Sequence, residues 1–183
     1  TCAVKYKDGC YDEHSCSWRN LIVDGDPIGE TNYLETTTER IMLQDEVDLS
    51  EYCTTNDTDP YITITKADDT QVTIAKADIK KIILNKAAAN TTTVGNNFLT
   101  NCSNLSYAEV GACKDVTTIG NNFMANCSSG EKDMVSLQLT SLTSVQTIGD
   151  YFLSNNKNYE YVYLPSTSTV TSVGNNFFET TIN

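Results

Sequence analysis

Four segments of the chain carry one pattern: Val94-Gly95-Asn96-Asn97-Phe98-Leu99, Ile119-Gly120-Asn121-Asn122-Phe123-Met124, Ile148-Gly149-Asp150-Tyr151-Phe152-Leu153 and Val173-Gly174-Asn175-Asn176-Phe177-Phe178. Their glycines stand 25, 29 and 25 residues apart, and all five phenylalanines of the 183-residue chain fall inside them. Self-similarity at such a period marks an array of stacked units, a stronger constraint on the fold than any local propensity.

A second pattern, apolar-x-x-apolar-x-apolar, lies between the first ones: Ile79, Ile82, Leu84; Leu105, Ala108, Val110; Met134, Leu137, Leu139; and Tyr159, Val162, Leu164. The last three sets end ten residues before the next glycine and the first ends eleven before. The longer middle interval fits an insertion around Gly130-Glu131-Lys132-Asp133. The last two apolar positions of each set are two residues apart, on one face of a strand. The Gly-x-x-Phe-Leu segment spaces apolar residues as one helical or 3₁₀ turn would, with the glycine at a tight or positive-φ corner.

One unit cannot bury both segments alone, but stacked units can. Each strand then pairs in parallel with the next, and the Phe-Leu turns form a column behind the sheet. Burying one such side chain is worth about 1.5–3 kcal/mol. The expected fold over residues 79–183 is a solenoid: a parallel β-sheet with short helical or 3₁₀ turns.

The strand motif followed by Ile-Gly-x-x-Phe-Leu-x-Asn-Cys resembles the BspA-type leucine-rich repeat, found in bacterial and protozoan surface proteins and in phage-encoded proteins. Leu164-Pro165, Asn101-Cys102 and Asn126-Cys127 are close to that pattern. Two departures stand out: Asn156 and Thr181 replace the cysteine in the last two repeats, and Thr91 replaces an apolar residue before Gly95. The resemblance implies a role in recognition and names no ligand. Cys102 and Cys127, in equivalent turns, are expected to project inward as small buried hydrophobes, the alternative being disulfide pairing with Cys113 or another partner. The last repeat breaks off at Asn183, so either further repeats or another chain are expected to cover that edge.

Tyr61-Ile62-Thr63-Ile64-Thr65 and Gln71-Val72-Thr73-Ile74 alternate around the polar turn Lys66-Ala67-Asp68-Asp69-Thr70. Residues 61–78 therefore read as a β-hairpin that caps the N-terminal edge of the array. Residues 1–60 are an irregular acidic region, with 14 acids against 4 bases in a chain of net charge −12. Within it, residues 20–27 suggest a short strand and turn, and residues 38–49 a short helix. Cys2, Cys10, Cys16 and Cys53 in this region are candidates for two disulfides. Cys10, His14 and Cys16 lack a C-x2-C spacing, and no metal site is expected.

The acidic balance argues against a nucleic-acid partner, and no run of 18 apolar residues is present for membrane insertion. The chain contains a single histidine, His14, and no Walker loop, G-x-G-x-x-G or H-E-x-x-H motif. Catalysis is not expected, and neither is a cofactor. Residues between the core positions of each repeat strand face outward in two rows. Tyr107, Glu109, Gln138, Tyr161 and Tyr163 are the candidate binding residues, since tyrosine is an amphipathic contact residue of low ordering cost. The plainer alternative is that tyrosine suits any strand.

Sequons occur at Asn56, Asn90, Asn101, Asn104 and Asn126, of which Asn56, Asn90 and Asn104 are the glycosylation candidates. Together these features predict an extracellular or cell-surface recognition module that binds a protein, a glycan or further copies of itself. The alternative is a structural subunit of a virion fibre or surface filament.

Overall fold

The computed structural model describes residues 32–127, 136–156, 161–163 and 169–179, with backbone alone at Ser136 and Tyr161, and the backbone of residues 5–6, 21–23 and 26–28. The chain divides into two units, residues 1–31 and 32–183. In the first, β1 (Lys5–Tyr6), β2 (Leu21–Val23) and β3 (Asp26–Ile28) form an antiparallel sheet in that order. The expected strand near residue 20 is therefore β2. Pro27 lacks an N–H for a ladder and sits on an edge strand, where it is tolerated. Cys2, Cys10, His14 and Cys16 lie outside the described residues.

The second unit opens with an antiparallel hairpin, β4 (Tyr33–Thr36) and β5 (Arg40–Met42). Residues 38–49 thus hold a strand, not the expected helix. Alternation decides it: Leu34 and Ile41 pair across the hairpin and both are buried. Only Leu49–Tyr52 turns, as a 3₁₀ segment capped by Asp48, whose Oδ1 accepts from Ser50 N at 2.9 Å. Asn32 is buried and ties this region to the repeats: its Nδ2 donates to Gln44 O, Asp45 O and Lys86 O, and its Oδ1 accepts from Asn85 N and Lys86 N.

The expected hairpin is present as β6 (Tyr61–Thr65) and β7 (Gln71–Ala75), Ile62 opposite Ile74, and it buries Ile62, Ile64 and Ile74 in the common core. It does not close the edge of the repeat sheet. That place is taken by β4, which runs antiparallel to the first repeat strand, β8 (Ile79–Ile83), with Leu34 opposite Ile82 and a bulge after Glu35.

From β8 onward, each repeat supplies two short strands, the first repeat beginning with β8 itself and β9 (Thr93–Val94). β10 (Tyr107–Glu109), β12 (Ser136–Gln138) and β14 (Tyr161–Tyr163) follow β8 in parallel, with Ile82, Ala108, Leu137 and Val162 in register. The six-stranded order is β14-β12-β10-β8-β4-β5. β11 (Thr118–Ile119), β13 (Thr147–Ile148) and β15 (Ser172–Val173) form a second parallel sheet with β9. Ile79, Ile82, Leu84, Leu105, Ala108, Val110, Leu137 and Leu139 are all buried, as the apolar spacing predicts. Met134, Tyr159 and Leu164 lie outside the described residues.

The Phe-Leu segments differ from expectation. Although 3₁₀ turns occur elsewhere, as at Gly111–Cys113, these segments carry positive φ at alternate residues: Asn97, Leu99 and Asn101, then Asn122, Met124 and Asn126, then Tyr151, Leu153 and Asn155. Their amides alternate in direction between repeats. Asn97 N and Asn101 N donate forward to Asn121 O and Ala125 O, while Met124 N donates back to Phe98 O. Alternation lets consecutive side chains share a face, so Phe98, Leu99 and Thr100 are all buried.

Gly120 and Gly149 have no left-handed φ, so of the expected tight or positive-φ corner the positive-φ form does not occur at them. They permit close approach instead: a Cβ on Gly120 would lie 2.5 Å from Asn96 Oδ1 and 2.8 Å from Asn96 N. Beside them runs a ladder in which Asn96 Oδ1 accepts from Asn121 N, Asn121 Oδ1 from Asp150 N, and Asp150 Oδ1 from Asn175 N, at 2.7–2.8 Å.

Candidate functional site

Parallel register aligns the outward positions of the six-stranded sheet into two rows. One runs Met42, Tyr33, Ile83, Glu109, Gln138, Tyr163; the other runs Arg40, Glu35, Lys81, Tyr107, Ser136, Tyr161. The sequence-predicted Tyr107, Glu109, Gln138, Tyr161 and Tyr163 therefore share one face, Tyr161 by register position alone. Tyr33, Glu35 and Arg40 extend the rows and were not foreseen. Their signal was the alternation of Tyr33-Leu34-Glu35-Thr36, too short to stand out beside the repeats.

The β4–β5 end of the face is occupied by its own charges. Arg40 lies 4.8 Å from the Tyr33 ring centre and Lys81 Nζ 5.5 Å from it, and Lys81 Nζ is also 5.2 Å from the Tyr107 ring. Arg40 Nε donates to Glu35 Oε1 at 2.9 Å. Tyr33 is consequently buried although it stands on the outer side. Tyr107 Oη donates to Glu109 Oε1 at 2.8 Å. Burial first, then the bond and charge of Glu109, hold this phenol well above the usual tyrosine range, so Tyr107 stays a neutral donor. Toward β14 the face opens: Gln138 is half-buried and Tyr163 is 45% exposed.

The remaining sequence candidates lie elsewhere. Cys53 is a free, half-buried thiol that donates to Leu49 O at 3.7 Å, and burial chiefly pushes its pKa up to about 11. Asn56 and Asn90 stand exposed in turns. Asn104 is half-buried, its amide donating to Ala77 O at 2.6 Å. Cys102 and Cys127 are fully buried, as expected. Among the described residues no three metal-ligating side chains converge, and no helix is long and apolar enough to cross a membrane. A cleft of about 190 Å³ is lined by Lys86 and Lys114, which pair with Glu46 and Asp115.

A family model described as a BspA type leucine rich repeat region matches residues 72–183 in six copies. The chain belongs to the BspA-type leucine-rich repeat family. No curated protein and no solved structure matches it. The BspA-type match begins inside β7, upstream of the first repeat strand at residue 79. β4 and β5 precede the BspA-type region, yet they complete the same sheet face. Repeats of this class generally mediate protein interactions, are typically surface-associated and are typically non-enzymatic.

Proposed function

We propose that this chain is a non-enzymatic recognition module, a BspA-type solenoid acting outside the cell or at its surface. Its six-stranded sheet face would bind a protein or a glycan. The observation that supports this most is the register that gathers Tyr107, Glu109, Gln138, Tyr161 and Tyr163 on one face. Tyrosines on a rigid sheet offer stacking area and a hydroxyl at little ordering cost, which suits sugar rings and protein surfaces alike.

The test is binding of the whole chain to an array of glycans and extracellular-matrix proteins. The wild type is expected to retain at least one probe, and Tyr161→Ala with Tyr163→Ala to weaken it tenfold or more with the circular dichroism unchanged. Undiminished binding by that variant would sink the sheet-face reading.

A further inference from the structure

Cys102 and Cys127 hold the same place in successive repeats, and both are fully buried free thiols. Their poses match: Cys102 Sγ lies 3.9 Å from Thr100 O and Cys127 Sγ 3.8 Å from Ala125 O. Cys127 Sγ also leans into the preceding repeat, donating to Leu99 O at 3.0 Å. The two backbones are laced together beside the pair, Asn101 N donating to Ala125 O at 2.9 Å and Met124 N to Phe98 O at 2.8 Å. Backbones hydrogen-bonded side by side lie about 4.8 Å apart, as in a sheet. A disulfide spans Cα separations of about 4.4–6.8 Å.

The following repeat shows what this position does. Asn156 replaces the cysteine there, and its side chain ties that repeat to the one before: Oδ1 accepts from Cys127 N at 2.5 Å and Nδ2 donates to Met124 O at 2.7 Å. At the same position the two preceding repeats each carry a buried thiol, Cys102 and Cys127.

We propose that Cys102 and Cys127 are a disulfide site that joins two adjacent repeats covalently when the chain folds in oxidising surroundings. The reaction is exchange with a small disulfide such as oxidised glutathione. One cysteine thiolate attacks a glutathione sulfur and expels the first glutathione thiolate; the second cysteine thiolate attacks the mixed disulfide and expels the other. The two cysteine protons end on the two released glutathione thiols. The neighbouring Cys127 thiol, and then burial, hold the Cys102 thiol well above its ordinary pKa, and the buried Lys76 ammonium opposes this only in part. The thiolate is the attacking species, so exchange belongs to the folding chain or an opened repeat.

The experiment is to refold the full chain in a mixture of reduced and oxidised glutathione, alkylate it in denaturant and map its peptides without reduction. The expected result is one cross-linked pair holding Cys102 and Cys127, two hydrogens lighter than the separate peptides. It should vanish on reduction and be absent from Cys127→Ala. The oxidised wild type should also melt several degrees above its reduced form. Recovery of both cysteines as alkylated thiols, or either one joined to a different cysteine, overturns the proposal. Should Cys127→Ala fail to fold, the wild-type map decides alone.

Discussion

Phe98 and Phe123 lie with ring centres 5.1 Å apart and planes 8° from parallel. The relation repeats from Phe123 to Phe152 and from Phe152 to Phe177, at 5.1 and 5.0 Å, and Tyr52 covers the first ring at 6.3 Å. Edge-to-face or offset packing is the usual preference of free ring pairs. Here the hydrogen-bonded spacing of the repeats sets the geometry, and the gain comes mainly from burial. Replacing Phe123 with Ala should cost about 3–5 kcal/mol in urea unfolding. Phe177→Ala, at a ring already 38% exposed, should cost less than half as much. Equal losses would mean the column is not a graded stack.

Gly149 tests the close approach of the repeats. An added Cβ would sit 2.7 Å from the Gly120 carbonyl carbon and 2.8 Å from Asn121 N, which are backbone atoms that cannot rotate away. Gly149→Ala is expected to destabilise by about 1–3 kcal/mol through strain, even though alanine lowers the entropy of the unfolded chain. A neutral or stabilising change in thermal unfolding would contradict this packing.

The side-chain ladder needs an acceptor oxygen at each step and nothing more. Asp150 supplies Oδ1 to Asn175 N at 2.7 Å, just as Asn121 supplies its own to Asp150 N at 2.8 Å. Asp150→Asn should therefore leave stability within about 0.5 kcal/mol. Asp150→Ala should lose about 1 kcal/mol. Thermal melts of the two variants side by side check the contrast.

Alkaline pH should loosen the fold through its buried thiols. Burial chiefly pushes Cys113 from 9.0 up to about 12. Above about pH 9 the unfolded chain releases this proton while the folded chain keeps it. Stability present below pH 9 is then lost progressively as pH rises toward 12. Urea midpoints from pH 8 to 11 should fall, and fall less steeply in Cys113→Ala, whatever that variant loses at neutral pH.

Which parts of this architecture were legible depended on how far each constraint reaches along the chain. Ile82, Ala108 and Leu137 declare themselves because translation by one repeat must bring core positions together. Phe98, Phe123 and Phe152 do so for the same reason. Leu34 pairs with Ile82 across 47 intervening residues and belongs to no repeat, so β4 left only a four-residue alternation as its trace. The left-handed residues divide in two. Asn97, Asn101, Asn122 and Asn126 are of a type that tolerates positive φ, although the reading of the motif placed that conformation at the glycines. Leu99 and Met124 adopt it because the repeat-to-repeat hydrogen bonds require it, and nothing local encodes that.

The candidate face was half visible for the same reason. Tyr107, Glu109, Gln138 and Tyr163 follow from the repeat strands, whereas Tyr33, Glu35 and Arg40 arrive on the unforeseen hairpin.

The most direct measurement compares two surfaces of one molecule. A probe from the glycan and matrix-protein array is titrated against two variants. One carries Tyr107→Ala, Gln138→Ala and Tyr163→Ala on the six-stranded face. The other carries Thr93→Ala, Thr118→Ala and Thr147→Ala, exposed residues of the second sheet. The six-stranded face variant should bind at least tenfold more weakly, and the second-sheet variant should match the wild type. Loss confined to the second-sheet variant, or full binding by both, would contradict recognition by the six-stranded face.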